Sequence, residues 1–422
     1  MPTTAESTVT IDDVRAARER IEGGIYHTPC PESVPLSELC DARVFCKLEY
    51  LQRTGSFKER GARNALMLLS DEQKRRGIVS TSAGNHALAL AYHGKLLGIR
   101  VTVVMPTTAP LVKSQTCAKL GASVVQHGED FGEAYERARQ FVDREGMTYV
   151  HGYDDPAIIA GAGTIGLEVL EQAPGVEAIL VPIGGGGLIT GIGIAVKALR
   201  PDVRIIGVES AATGGLTASL DKGEPVSITP RPTLADGLAV HRAGALPVRL
   251  APHVIDHIVR VEEEAISLAI LRILELEKGV VEGAGAVTLA AVMNKHGGAG
   301  LFDQMPELAG RRIALILSGG NIDPTVLSRV IENGLVADGR LCRFTATISD
   351  RPGGLARFAS IVAKAGASVK EIIHDRAFCA SGVNTVNVLC LIETRDRAHI
   401  HRLHDALRAE GIPFTPHDVA NG

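Results

Sequence analysis

Ala178-Ile-Leu-Val-Pro-Ile-Gly-Gly-Gly-Gly-Leu-Ile-Thr-Gly-Ile-Gly-Ile-Ala-Val196 is a run of nineteen residues without a charge. Its length invites a membrane-spanning reading, since about 20 apolar residues cross a bilayer. Pro182 and six glycines, four of them consecutive, argue against it. A strand, a glycine loop and a helix account for all of these features, so no membrane association is expected. A glycine loop between a strand and a helix turns backbone N–H groups toward an anion, and a phosphate suits it well. The stretch lacks the Gly-Lys-Ser/Thr ending of a nucleotide-hydrolysing loop, which sets nucleotide hydrolysis aside.

Outward from that loop, β-branched runs alternate with amphipathic stretches. Strands are predicted at Ile78–Thr81, Val101–Met105, Val124–Gln126, Ile179–Ile183, Ile205–Val208 and Ile313–Leu317. Helices are predicted at Ala83–Leu97, Glu133–Arg144 and Glu264–Lys278. Such alternation is the pattern of an α/β fold with mostly parallel sheets wrapped by helices. The rhythm breaks after Asp323-Pro324. Thr325–Asn333 reads as a helix and residues 334–340 as a linker. Phe344, Ala346 and Ile348 then alternate like a half-buried strand, and Leu355, Phe358, Ile361 and Val362 recur at helical spacing. With strands at Val369–His374, around Val386–Ile392 and near Phe414, and a helix through Ile400, Leu403 and Leu407, the order is βαββαβ. That is the ferredoxin-like plan, on a tail of a size able to fold alone.

A chain of 422 residues suggests two or three domains, with ample material for a core. A net charge of −4 lacks the basic excess that nucleic-acid phosphates require, and 4% aromatics with no Trp make a poor base-stacking platform, so no nucleic-acid partner is expected. The seven cysteines are odd in number and scattered, with no Cys-x-x-Cys pair, which fits a reducing compartment and no zinc site. The start, MPTTAESTVTIDD, has neither a basic n-region nor an apolar h-region, and a cytoplasmic location is expected.

Chemistry concentrates in four segments. Thr54-Gly-Ser-Phe-Lys-Glu-Arg-Gly61 sets a lysine among small residues at a helix start, in a chain with twelve lysines against thirty-two arginines. An amine there can form a Schiff base, which a guanidinium cannot; a surface lysine is the plain alternative. Ser80-Thr-Ser-Ala-Gly-Asn-His86 turns from strand to helix and offers N–H groups to a carboxylate, although the same residues serve as ordinary turn and cap chemistry. Val181–Leu188 is the phosphate cradle. Ser318-Gly-Gly-Asn321 places a hydroxyl at another strand end, where open α/β sheets line their ligand crevice. Taken together, an aldehyde-binding lysine, a phosphate cradle, a carboxylate-type turn and a strand-end hydroxyl describe a pyridoxal-phosphate site.

Two further patterns carry no chemistry in this reading. Gly161-Ala-Gly-Thr-Ile-Gly166 matches a dinucleotide fingerprint, but it follows Asp154-Asp-Pro156 and lacks the ribose-binding acid. His399, His401 and His404 have no acid or cysteine partner and read as a solvated helix face, so no metal is expected.

The chain resembles the threonine ammonia-lyases (threonine dehydratases), among the fold-type II pyridoxal-phosphate enzymes, in the form with a single C-terminal ACT domain. The resemblance rests on Arg20-Ile-Glu-Gly-Gly, Ser56-Phe-Lys-Glu-Arg-Gly-Ala62, Ser82-Ala-Gly-Asn-His-Ala87, Gly184–Gly187, Ser318-Gly-Gly-Asn321, Asp350-Arg-Pro-Gly-Gly-Leu355 and His374-Asp-Arg-Ala-Phe378. It implies a catalytic domain over 1–333, with a small subdomain at about 50–155 inserted in a larger one, and an ACT-like regulatory domain over 341–422. It implies that Lys58 carries the cofactor as a Schiff base and removes the substrate's α-proton. Phe57 would pack beside the ring, and Asn85 would bond the ring hydroxyl. Gly184, Gly185, Gly186, Gly187 and Leu188 would hold the phosphate, Ser318 would face the pyridine nitrogen, and Glu282 would lie near the cofactor. Ser82, Ala83, Gly84, Asn85 and His86 would receive the substrate carboxylate. Asp350, Arg351, Pro352, Gly353, Gly354 and Leu355 would bind an amino-acid effector, isoleucine or valine, in a homodimer or homotetramer.

Three positions depart from the relatives' pattern. Leu88 stands where a glutamine is usual, and Ala83 where serine racemases carry their second proton donor, which favours elimination over racemisation. Glu209 has no carboxylate partner at Gly215, where relatives bind a divalent cation. The implied reaction is deamination of L-threonine to 2-oxobutanoate and ammonia, the regulated first step toward isoleucine. L-Serine dehydratase, serine racemase, a sulfur-using β-replacement synthase and a non-catalytic amino-acid sensor are the alternatives.

Overall fold

The computed structural model describes residues 8–109, 111–293, 300–375 and 384–417. The chain divides into two compact units, Met1–Asp323 and Pro324–Gly422.

The first unit contains two sheets. In the larger, the short strand Glu32–Ser33 pairs antiparallel with Arg43–Lys47, and Arg312–Ile316, Ala178–Pro182, Arg204–Ser210 and His257–Val261 follow in parallel order. Ala178–Pro182 is buried along its whole length, as the uncharged run requires of an interior parallel strand. The chain leaves this sheet after Lys47 and builds a second one before returning at Ala178. That second sheet is wholly parallel, in the order Ser123–Gln126, Val101–Met105, Ile78–Thr81, Thr148–Tyr149. Each sheet has its own core, around Ile179, Ile189 and Ile316 in the larger and Ile78, Leu90 and Val103 in the smaller.

Asp154-Asp-Pro156 is a helix start. Asp155 accepts from the N–H groups of Ala157 and Ile158, Pro156 takes the first position, and the helix runs Pro156–Gln172. The glycines of the false fingerprint therefore lie on one long helix, where they permit close crossings. A Cβ on Gly161 would stand 2.7 Å from the Arg60 carbonyl oxygen, and one on Gly163 2.7 Å from that of Gly191.

The second unit opens with the helix Pro324–Ala337. The linker expected from residue 334 is thus helical through Ala337, because Gly334 is buried on the helix and its packing offsets its poor propensity. Leu341–Ser349, Gly354–Lys364, Ser368–Asp375, Thr385–Glu393, Arg397–Ala409 and Phe414–Pro416 then form the βαββαβ order. The antiparallel sheet reads Ser368–Asp375, Thr385–Glu393, Leu341–Ser349, Phe414–Pro416, over a core of Phe344, Phe358, Val388 and Leu403. This is the ferredoxin-like arrangement. Residues 376–378 of the second-unit motif lie outside the described residues.

The three histidines do not share a solvated helix face. His399 is buried, its Nε2 2.8 Å from the Ala365 carbonyl oxygen while its Nδ1 accepts from the Arg395 N–H. His404 is also buried, with its ring against Phe344 and Phe414. His401 is exposed. Two of the three are core residues whose surroundings are set by distant segments, a tertiary outcome that charge and spacing alone do not reveal.

Candidate active site

Lys58 opens the helix Lys58–Met67. The turn before it is anchored to the strand end of the larger sheet: the Phe57 N–H donates to the Ser318 carbonyl at 3.0 Å, and Ser56 bridges to Gly319. Lys58 Nζ donates to the Gly152 carbonyl at 2.6 Å and lies 5.0 Å from the Phe57 ring centroid. Burial pulls its pKa down to about 8, while the Glu282 charge acts in the opposite sense.

The two residues after the lysine point inward. The Glu59 carboxylate accepts from the Thr54 N–H and lies 3.1 Å from His93 Nε2. Arg60 is fully buried between Glu49 and Glu168, with nitrogens 2.7 and 2.8 Å from Glu49 and 2.6 and 2.8 Å from Glu168. Lys47 joins Glu168 at 2.5 Å. Burial opposes the Arg60 charge, yet the two carboxylates hold its pKa above the ordinary value. Such a cluster fixes where the Lys58 helix begins.

The helix Asn85–Leu97 starts behind Ser82-Ala-Gly84 without any side-chain cap. Its first N–H groups therefore have no intrahelical acceptor, and a Cβ on Gly84 would meet nothing within 4 Å, so there is room beside them. Ser82 Oγ accepts from the Gly84 N–H. His86 Nε2 is 3.2 Å from the Val150 carbonyl oxygen; burial, and then the Lys58 charge, push its pKa down to about 3, which leaves it neutral. Ala83 and Leu88 pack against the smaller sheet's core.

The four-glycine loop leads into the helix Gly187–Leu199, whose N-cap Gly186 adopts φ +91° and carries no side chain to satisfy the first turn. Tyr153 lies on this loop. A Cβ on Gly185 would come 2.2 Å from its ring and one on Gly187 2.6 Å from its carbonyl oxygen. Since Tyr153 follows Gly152, the loop is tied to the carbonyl that holds Lys58 Nζ.

Ser318, 3% exposed, bonds the Ala284 carbonyl through Oγ at a long 3.3 Å. Glu282 is also buried, and its N–H donates to the Gly319 carbonyl at 3.0 Å. Its carboxylate accepts from Asn85 Nδ2 at 2.7 Å. Burial first, and then the nearby Asp236 charge, raise its pKa to about 7.

Phe57, Lys58 and Ser318 are thus in contact, Gly319 links them to the Asn85–Glu282 pair, and Gly184–Gly187 joins them through Tyr153. Gly152, Tyr153, Glu59, Arg60 and Asn321 are functional neighbours that the sequence reading does not assign. Glu209 is engaged elsewhere, accepting from Leu216 N–H, Thr217 N–H and Thr217 Oγ. In the second unit, the helix Gly354–Lys364 begins at Gly353, φ +92°, again without a side-chain cap.

The donor set suits a flat phosphorylated aldehyde: a half-buried amine of lowered pKa, a cradle of uncapped N–H groups that side chains would fill, a hydroxyl at a strand end and a carboxyl just before the helix Gly283–Met293. Comparison with known proteins agrees. The family model described as pyridoxal-phosphate dependent enzyme matches residues 21–319. The L-threonine ammonia-lyase of Thermotoga maritima is 40% identical over 403 residues, covering 96% of this chain and 98% of its own. The catabolic L-threonine dehydratase of Escherichia coli K12 is 42% identical over 330 residues, 78% of this chain and 98% of its own. The solved structure of maize serine racemase is 32% identical and superposes with a TM-score of 0.72, covering 78% of this chain and 98% of that one.

Proposed function

We propose, because the chain belongs to the family of pyridoxal-phosphate-dependent enzymes, that it deaminates L-threonine to 2-oxobutanoate and ammonia. The observation that carries this reading is the setting of Lys58. Its amine is half-buried at a helix start, on the Gly152 carbonyl, with its pKa lowered to about 8. About a tenth of such an amine is neutral at pH 7, against far less than a hundredth at the ordinary value.

When bound, pyridoxal phosphate supplies the electron sink for the pair left at the substrate's α-carbon. Gly184 to Gly187 and Leu188 hold its phosphate on uncapped N–H groups. Ser318 offers the ring nitrogen a hydroxyl, which cannot balance a positive charge there as a carboxylate would. Ser82 to His86 receive the substrate carboxylate by main-chain N–H groups, since His86 is neutral. Lys58 takes the α-proton. The β-hydroxyl leaves as water, and water returns when the released enamine hydrolyses. Ala83 has no hydroxyl to return a proton on its side, which favours elimination over racemisation.

The second unit supports a regulated, biosynthetic role toward isoleucine. The Thermotoga relative aligns along 96% of this chain, whereas the catabolic enzyme uses nearly all of its own length and leaves part of this chain without a counterpart. The uncapped helix start after Asp350-Arg-Pro-Gly353, continuing through Gly354 and Leu355, suits the carboxylate of an isoleucine or valine effector. Assembly as a homodimer or homotetramer in the cytoplasm completes the proposal.

The test is 2-oxobutanoate formation from L-threonine by protein supplied with pyridoxal phosphate, with and without L-isoleucine, and with L-serine for comparison of kcat/KM. Lys58→Ala is expected to keep its fold and lose turnover by about three orders of magnitude. Full turnover in that variant, or no product from either amino acid with the wild type, would overturn the reading.

A further inference from the structure

Asn321 ends the Ser318–Asn321 turn, and its side chain touches two other motifs of the site. Its Nδ2 lies 2.7 Å from the Thr54 carbonyl oxygen and 2.8 Å from Asn85 Oδ1. Asn85 Nδ2 in turn lies 2.7 Å from Glu282 Oε1. Which end of a side-chain amide is nitrogen is usually settled only by its partners. Here a main-chain atom settles it. A carbonyl only accepts, so Asn321 must face Thr54 with its NH2. The same nitrogen faces Asn85, which must answer with oxygen, and the Asn85 nitrogen is left toward Glu282.

Glu282 alone could not impose this direction, because a protonated carboxyl donates as readily as a carboxylate accepts. The anchoring end is firm. The Thr54 N–H is held by Glu59, which also meets His93, and a Cβ on Gly55 would stand 2.5 Å from Asn321 Oδ1. An NH2 group has two hydrogens. Glu282 takes one from Asn85, and the second is left for the crevice.

We propose that Asn321 is a positioning residue that fixes the direction of the Asn85 amide, so that Asn85 presents a donor and not an acceptor to the ring oxygen of the cofactor. This rests on the pyridoxal-phosphate reading given above. Reversal of the amide would set Asn85 Oδ1 against the ring oxygen, acceptor against acceptor.

Asn321 is exposed, so substitutions there should leave the fold intact. Asn321→Asp keeps the shape and removes the NH2. The Asn85 nitrogen should then swing toward the introduced carboxylate, and the holoenzyme should show a displaced visible absorption and circular-dichroism band with roughly tenfold weaker cofactor binding. If Asn321 acts through Asn85, the double variant Asn85→Ala/Asn321→Ala should bind pyridoxal phosphate no more weakly than Asn85→Ala alone. A merely structural role predicts instead that the two losses add. A wild-type band and affinity in Asn321→Asp, or full additivity, overturns the proposal while leaving the deaminase reading in place. A wild type that binds no pyridoxal phosphate and turns over no threonine overturns both.

Discussion

Glu282 is the site residue whose pKa lies nearest neutral pH. Burial raises its pKa from 4.5 to about 7, and Asp236 adds to the effect from a more exposed position, where it pairs with Lys113 at 3.1 Å. A carboxyl whose pKa is higher folded than unfolded adds stability that is fully present below the unfolded value and is lost as pH rises through the folded one. The window is therefore pH 4.5 to about 7, and the loss at most about 3 kcal/mol for a group so buried. Glu282→Gln keeps the shape and never ionises. Thermal melts of cofactor-free protein at pH 5 and pH 8 should show the variant gaining on the wild type at the higher pH; an equal difference at both would mean that Glu282 does not titrate there. The motif residues themselves are readable in the chain, because Lys58, the four glycines and Ser318 each need a residue type that local chemistry dictates. Gly152 and Asn321 are not. Their roles depend on which carbonyl arrives opposite which side chain across distant segments, and composition carries no trace of that.

Elements were legible where burial is continuous and obscured where charge enters the sheet. Ile78–Thr81 and Val101–Met105 match the expected strands because runs rich in β-branched residues and free of charge favour a buried strand. Arg43–Lys47 escapes such a reading, since charges stand at both ends. Lys47 is nevertheless fully buried, matched by Glu168 from a helix more than a hundred residues away. His257–Val261 is similarly disguised by His257 and Arg260. The glycine-rich helix Pro156–Gln172 shows the opposite error, a pattern that suggests ligand chemistry and serves packing. At this scale Gly161→Ala is the informative change. Its methyl would meet the Arg60 carbonyl at 2.7 Å and Gly61 Cα at 2.7 Å, backbone atoms that cannot move aside separately. A loss of about 1–3 kcal/mol is expected, outweighing Ala's better helix propensity, and chemical denaturation of the holoenzyme measures it. Unchanged or increased stability would mean that the two helices separate more readily than their glycines suggest.

For the molecule as a whole, the question is what the second unit contributes. All the residues assigned to chemistry lie before Asp323, within one compact unit that has its own cores. The ferredoxin-like sheet has a separate core built from Phe344, Phe358, Val388, Leu403 and their neighbours. Two units with separate cores can lose one member without the other losing its interior. An effector shifts activity only if it binds one conformational state better than another, so a response that resides in the tail should vanish with it while the chemistry persists. A chain ending at Asp323 is therefore expected to convert L-threonine within about tenfold of the full protein, and to show no change with any amino-acid effector, L-isoleucine included, to which the full chain responds. Reciprocity supplies an independent reading: if isoleucine lowers threonine affinity in the full chain, threonine must lower isoleucine affinity by the same factor, measurable by calorimetry. A truncated protein still inhibited by isoleucine would move the effector site into the first unit. One that is folded but inactive would show that the tail completes the active enzyme.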